Sequence, residues 1–466
     1  MTTRWTAGIL IAALALSAPA AGDTAKLLSD TKDKAGSLAR FLCTLQDELG
    51  ARTVEGQAVC ITTEPAVFVT LGLDSRMPPD SLSSFLLVPA NEPGKTIKAE
   101  LLGIDPEGGI GFLRATEPYS WTVVQFAPKA NLTVGQAVAS IGLMGRETNY
   151  QPYVGSAYLS AILRVPGEVA YVTGGKLTGL GSPVFNADGR AIGLVCPQRF
   201  MSYQTVMNGR ATSVSLSGQD ETGFFMPVDE FAHVLVNIPA SPAQVRRLPW
   251  IGVLNFTGLA KEAADIMKLD SAGVMIEGVI PDGPAAKAGL ADRDVITAAN
   301  GEKFPAVAVP DLAAAMLQRK IFRMPAGTKL TLSVRRGDTA KDYELATEPI
   351  PQLPYEAKRY LSRELGFLAR EKIDLDRYAD KSPAAGVPGL IVLGADGPSA
   401  GAGLRDGDLI TTINTTPVTT AANLKEVLEG AVSKNQPVVL VVRRGDLTQT
   451  ITISPAPPQA APAGGQ

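Results

Sequence analysis

The sequence predicts a mainly β protein: an all-β sandwich or barrel pair, then two copies of a small α+β unit. Three observations lead there. At about 150 residues per domain, a chain of 466 residues suggests three domains. Residues 35–240 show short apolar runs separated by turn residues, and usage of Gly (46) and Pro (34) is high, as in β-rich folds. A long stretch also recurs once, 114 residues later, from Asp282 to Asp396.

Residues 1–22 read as a secretory signal. Arg4 is the basic flank, Ala7 to Leu16 the apolar core, and Ala18-Pro-Ala20 a small-residue cleavage site, with the cut between Ala18 and Gly22. The apolar run is shorter than the roughly 20 residues a bilayer span needs, and no later stretch is long enough. The chain is therefore expected to be exported, and periplasmic in a Gram-negative host. Cys43, Cys60 and Cys196 have no metal-ligand spacing. Cys43 and Cys60 lie in consecutive apolar segments, which leaves two alternatives: a disulfide in an oxidising compartment, or three buried thiols acting as small hydrophobes.

Runs such as Ala58-Val-Cys-Ile61, Ala66-Val-Phe-Val69, Ala137-Val-Ala-Ser-Ile141 and Ala191-Ile-Gly-Leu-Val195 read as short strands. A helix over Val228 to Val236 closes this region. The repeats follow at 247–349 and 359–456. Asp282-Gly-Pro-Ala-Ala-Lys-Ala-Gly-Leu-Ala-Asp-Arg-Asp-Val-Ile-Thr297 matches Asp396-Gly-Pro-Ser-Ala-Gly-Ala-Gly-Leu-Arg-Asp-Gly-Asp-Leu-Ile-Thr411, and Ser333-Val-Arg-Arg-Gly-Asp338 matches Val441-Val-Arg-Arg-Gly-Asp446. Each copy reads as a short helix stopped by Gly289 or Gly403, then an acidic turn and a strand. A second helix (Val309 to Arg319, Thr420 to Leu428) and a hairpin at Arg-Arg-Gly-Asp follow. Residues 457–466 are a Pro/Ala/Gly tail that cannot pack.

Composition excludes several functions. With 43 Lys plus Arg against 46 Asp plus Glu, the net charge is −3 and a nucleic-acid partner has no electrostatic basis. A single histidine, His233, rules out most His-based zinc sites. Gly174-Gly-Lys-Leu177 lacks the spacing and hydroxyl of a phosphate loop, and no cofactor motif is present.

The repeats resemble the PDZ domains of the bacterial HtrA/DegP family, through the doubled Pro-x-Ala-x-x-Ala-Gly-Leu pattern. Arg246-Arg-Leu-Pro-Trp-Ile-Gly-Val253 is similar to that family's carboxylate-binding strand entry, and Arg363-Glu-Leu-Gly-Phe367 to its Gly-Leu-Gly-Phe loop. The resemblance implies peptide binding at Trp250, Ile251, Gly252 and Val253 and at Glu364, Leu365, Gly366 and Phe367. Amides around a glycine would nest a terminal carboxylate while the peptide extends a sheet edge. Copy one departs at Arg293, where copy two has Gly407; an altered turn is expected there.

The first region resembles the family's trypsin-like double β-barrel. Leu101 to Phe112 is similar to its Gly-x-Asp-x-x-x-Asp-Ile-Ala-Leu segment, Leu132 to Gly142 to the segment that follows, Gly181 to Leu194 to the strand after the catalytic serine, and Gly223-Phe-Phe-Met-Pro227 to Gly-Phe-Ala-Ile-Pro. The implied fold is thus a trypsin-like double β-barrel followed by two α+β PDZ domains. The resemblance also places the triad, and there the residues depart. The histidine position is Leu73 (Gly72 with the gap moved), the aspartate position Gly109 and the serine position Leu180, in a loop two residues short. A serine hydrolase needs a hydroxyl, an imidazole base and an orienting carboxylate; losing the nucleophile or base costs roughly 10⁶-fold in kcat. His233 falls on the closing helix, and a Ser182–Lys176 dyad is disfavoured because Ser182 takes a glycine's place.

The expected function is that of an exported pseudoprotease that binds C-terminal or extended segments of other exported proteins, as adaptor, scaffold or chaperone-like holder. Two alternatives stand: an active serine endopeptidase of this family, and an inactive subunit assembled with active paralogues. The resemblance implies a trimer formed through the protease domain.

Overall fold

The computed structural model describes residues 21–454 apart from 75, 165, 198–201, 208–209, 216–222, 246, 308, 379–385 and 434–435. The expected signal and tail lie outside the described residues, save Ala21 and Gly22, which belong to α1 (Ala21–Lys32).

Two closed antiparallel barrels come first. Barrel one holds β1 (Leu38–Asp47), β2 (Gly50–Thr63), β3 (Ala66–Thr70), β4 (Leu82–Pro89), β5 (Ile97–Ile104) and β6 (Gly111–Ala115), in the order β1-β2-β3-β6-β5-β4. Period-two alternation explains β1. Ala39, Phe41, Cys43 and Leu45 face inward, and with Phe68, Phe85, Leu87 and Leu113 they fill the barrel. Barrel two holds β7 (Ala137–Leu143), β8 (Pro152–Arg164), β9 (Glu168–Thr173), β10 (Pro183–Phe185), β11 (Ala191–Val195) and, after the hairpin β12 (Ser202–Met207) and β13 (Arg210–Ser215), β14 (Phe224–Pro227). Its core runs on across the seam to Val59, Val69 and Phe112 of barrel one, so the barrels share apolar packing.

The predicted helix over 228–236 is broken. A 3-10 turn at Val228–Glu230 precedes α2 (Ala232–Leu235). Phe231 between them leaves helical geometry (φ −136°) and buries its ring edge-on against Phe126.

The first repeat comprises β15 (Pro249–Trp250), β16 (Val253–Gly258), α3 (Lys261–Ile266), β17 (Val274–Val279), α4 (Pro284–Ala288), β18 (Val295–Ala299), β19 (Glu302–Lys303), α5 (Asp311–Phe322), β20 (Lys329–Arg336), β21 (Thr339–Ala346) and β22 (Glu348–Pro349). The second comprises β23 (Arg359–Ser362), β24 (Phe367–Glu371), β25 (Leu390–Ala395), α6 (Gly397–Gly401), β26 (Leu409–Ile413), β27 (Thr416–Pro417), α7 (Ala421–Val432), β28 (Val438–Arg444) and β29 (Leu447–Ile453). Gly289 ends α4 at φ +88°. Both second helices run past the predicted stops at Arg319 and Leu428, because Ile321 and Ala431 extend their buried stripes by a turn. Thr420 caps α7 by accepting from Asn423 N at 3.1 Å.

The Arg293 turn is unchanged rather than altered. Arg293 takes φ +69° where Gly407 has +83°, and the two amides make matching bonds, to Ile276 O and Val392 O, each at 2.9 Å. An arginine in the left-handed region costs about 1 kcal/mol, and the turn tolerates it. Each repeat also buries an equivalent aspartate under an arginine fork. Arg336 grips Asp294 at 2.6 and 2.7 Å, and Arg444 grips Asp408 at 2.7 Å twice; each guanidinium also donates at 2.8 Å to the glycine carbonyl behind the short helix.

Candidate functional site

Two places in the fold can hold a peptide: the seam between the barrels and the sheet edges of the repeats.

The seam brings together the neighbourhoods of Leu73, Gly109 and Leu180. Leu73 follows β3 and is 1% exposed, part of the core of barrel one. Its Cδ1 lies 3.0 Å from where a Cβ on Gly111, two residues past Gly109, would stand. Gly109 itself has φ +66° in a turn that Asp105 organises: Gly109 N donates to Asp105 O at 2.9 Å, and Gly108 N to its carboxylate at 2.6 Å. Leu180 is 42% exposed on the loop before β10, and the next residue, Gly181, sits against Leu71 N and Gln57 O. Leu73 is thus a core residue, its burial contributing about 2 kcal/mol, while Leu180 is at the surface.

Among the described residues, the seam's buried hydroxyls are held in structural hydrogen bonds. Ser182 is fully buried and its Oγ accepts from Gln57 Nε2 at 3.1 Å. Gln57 also donates to Ile141 O at 3.3 Å and accepts from Leu143 N at 2.9 Å, so this pair ties β2 to barrel two. Lys176 is exposed, on the opposite side of the burial boundary from Ser182. An oxyanion hole uses the amides of the nucleophile residue and of the residue two before it. Here that second amide belongs to Thr178, and it donates to Ser140 Oγ at 2.8 Å.

The remaining ionisable candidates lie elsewhere. Cys43, Cys60 and Cys196 are buried and form no disulfide. The disulfide alternative fails on register: β1 and β2 do pair, but Cys43 faces Val54, six positions from Cys60, roughly 20 Å along a strand. Burial pushes the Cys43 thiol up to about 11 and Cys60 to about 12, so neither is a nucleophile at neutral pH. His233 stands at the junction with the first repeat, its Nε2 3.7 Å from Glu107. Glu107 also meets Arg323 at 2.6 Å, and Arg323 reaches Glu230 at 2.8 Å. Arg319 pairs with Glu230 too, and burial with the neighbouring Arg323 pulls its guanidinium below the ordinary range. Three segments supply this cluster, which no sequence motif announces.

The repeats place their predicted loops differently. In the first, Gly252 has φ +81°, and its carbonyl and that of Ile251 accept from Ile280 N (2.9 Å) and Ala285 N (2.8 Å). The Ile251 and Gly252 amides donate to no acceptor among the described residues. Trp250 folds back, its indole donating to Val253 O at 2.8 Å. β16 is the end strand of its sheet, with α5 packed beside it. At the far end Gly258 N donates to Asp311 at 3.1 Å and limits the free edge to a few residues. In the second repeat, Gly366 (φ +75°) and Leu365 offer carbonyls to Asp396 N (2.8 Å) and Ser399 N (2.9 Å), but the Gly366 amide already donates to Ser362 O at 2.9 Å. Glu364 lies in the turn and Phe367 begins β24.

The architecture defines the class: a trypsin-like double barrel carrying two PDZ domains. A trypsin-like peptidase domain model matches residues 70–194, and a PDZ domain model matches 254–347 and 386–454. The chain is 29% identical over 372 residues to a "Probable periplasmic serine endoprotease DegP-like" of Pseudomonas fluorescens, covering 76% of this chain and 71% of the relative. It is 26% identical over 378 residues to the "Periplasmic serine endoprotease DegP" of Escherichia coli K12, covering 76% and 68%. The solved "HtrA-type protease AlgW with decapeptide" superposes with a TM-score of 0.51 at 18% identity, over 70% of this chain and 99% of that one, a likeness of fold. The chain thus carries a trypsin-like peptidase domain and two PDZ domains, and is similar to DegP serine endoproteases.

Proposed function

We propose that this chain is a periplasmic DegP/HtrA homologue that captures peptide segments without cutting them. What supports this reading most is that Leu73, Gly109 and Leu180 stand where the resemblance places the triad. The diverted Thr178 amide supports it, since the tetrahedral oxygen would lose one of its two donors as well. The periplasmic location rests on the names of the relatives.

Capture falls to the first PDZ domain. A terminal carboxylate would sit on the Ile251 and Gly252 amides and the preceding residues would extend the sheet at β16. The short free edge favours a chain end over a segment passing through. The clients are the C-termini of unfolded or misassembled exported proteins.

An endopeptidase reading is favoured by the same relatives, each named a serine endoprotease. Labelling by an active-site fluorophosphonate separates the two. No covalent adduct is expected here, and stoichiometric labelling of any serine would overturn the capture-only reading. An assembly with active paralogues is tested by co-purification from the host periplasm.

A further inference from the structure

The stretch ahead of the peptide loop takes opposite routes in the two PDZ domains. In the first, β15 pairs with β22 (Trp250 opposite Glu348), and Leu248 O accepts from Ile350 N at 2.8 Å, so the chain leaves β16 unpaired on its outer side. In the second, β23 turns onto the sheet edge itself. It pairs antiparallel with β24, Arg359 opposite Arg370 through Ser362 opposite Phe367, and α7 packs on β23.

We propose that Arg359–Ser362 is a built-in ligand that occupies the groove of the second PDZ domain and reserves capture of outside chain ends for the first.

Four observations converge on this. First, direction: β23 runs antiparallel to β24 with its C-terminal end at the Glu364-Leu-Gly-Phe367 loop, the orientation a bound C-terminus adopts in edge addition. Second, the Gly366 amide, which a free carboxylate would need, donates instead to Ser362 O at 2.9 Å. Third, the side chains fill the space between strand and helix. Tyr360 packs against the domain core; burial first, then the carboxylates of Glu429 on α7 and Glu364, push its phenol up to about 12. Ser362 is 1% exposed, and its Oγ is buried without a partner, as expected of a hydroxyl in a pocket shaped for an apolar last residue. Fourth, the segment is anchored from behind. Arg359 lies 3.6 Å from Glu48 and Arg363 donates to Leu49 O, both on the turn between β1 and β2.

Tethering explains why an outside peptide would lose. A segment joined through a turn of a few residues acts at an effective concentration in the millimolar range or above. A free ligand of micromolar affinity is therefore outcompeted unless the segment lets go. Only the division of labour between the domains rests on the capture reading above; occupancy of the second groove stands apart from it.

The test uses the full chain and a fluorescent synthetic peptide reproducing Leu353 to Ser362 with a free carboxylate, followed by anisotropy. The wild-type chain is expected to bind it at least about tenfold more weakly than the double variant Tyr360→Gly, Leu361→Gly, whose groove is vacated. The gain should survive addition of Gly252→Val, which blocks the first domain. Equal binding by wild type and double variant, or loss of the gain on adding Gly252→Val, would overturn the proposal. Hydrogen exchange on the unmodified chain is a second reading that needs no variant. Alternate amides of β16, those facing away from β17, should exchange quickly, whereas every amide of Phe367–Glu371 should be slow. Fast alternate exchange in β24 would also overturn it. A C-terminal peptide screen insensitive to Gly252→Val would remove capture by the first domain and leave this exchange result in place.

Discussion

The two PDZ domains share a skeleton and differ at one edge. Both carry the short helix stopped by glycine, the left-handed turn at Arg293 or Gly407, the hairpin at Gly337 or Gly445, and a buried aspartate gripped by an arginine. All of these are internal to the domain. The difference lies in where the preceding strand goes: onto β22 in the first, onto β24 in the second. A peptide groove is an unsatisfied sheet edge; whether it is available depends on a neighbouring segment more than on the loop that marks it.

The shared skeleton can be broken first. Asp408 is fully buried and takes bonds from Arg405 N and both arms of the Arg444 fork. Asp408→Ala should therefore cost about 3 kcal/mol, read by chemical denaturation, and Asp294→Ala should be comparably damaging in the first domain. A loss under about 1 kcal/mol in either would mean that the matching geometry does not matter to stability. Next comes the asymmetry. A Cβ on Gly252 would stand 3.0 Å from Pro284 Cδ, at φ +81°. Gly252→Val should weaken capture of C-terminal peptides at least about tenfold, or roughly 1.4 kcal/mol, in a direct titration. Ala substitution at Leu365 should leave that affinity unchanged; an equal loss there would make the second domain a capture site. The smallest effect concerns the turn. Arg293→Gly relieves left-handed strain and should stabilise the first domain by about 0.5–1 kcal/mol, while Gly407→Ala should destabilise the second by a similar amount, both read from thermal unfolding. Effects of the opposite sign would mean that Arg293 contributes contacts that outweigh its backbone strain.

Much of this was legible in the sequence because it is written locally. A Pro at a helix start, a Gly at its end and an Arg-Arg-Gly-Asp turn act over a few residues, and recurrence made them visible. The proposed loss of the triad rests on sequence alone, since acyl-transfer chemistry tolerates few residue types at such positions and His233 is the sole imidazole. What remained hidden is tertiary. Arg359-Tyr-Leu-Ser362 reads as a strand whichever edge it joins, since pairing is made by the backbone. Gln57, which bridges the barrels through Ser182 and Leu143, is one polar residue in a strand until its partners 125 and 86 positions away arrive. The cysteines paired as strands but not as residues, because strand register was beyond sequence pattern. The closing helix broke where Phe231 gained more by filling the core against Phe126 than by continuing the turn.

Incubation of the purified chain with unfolded casein, with new termini counted by mass spectrometry, tests capture without cleavage most directly. The expected result is intact casein over many hours, at a level indistinguishable from a mock preparation. Termini that accumulate in proportion to the amount of chain, and that disappear in the Ser182→Ala variant, would contradict it.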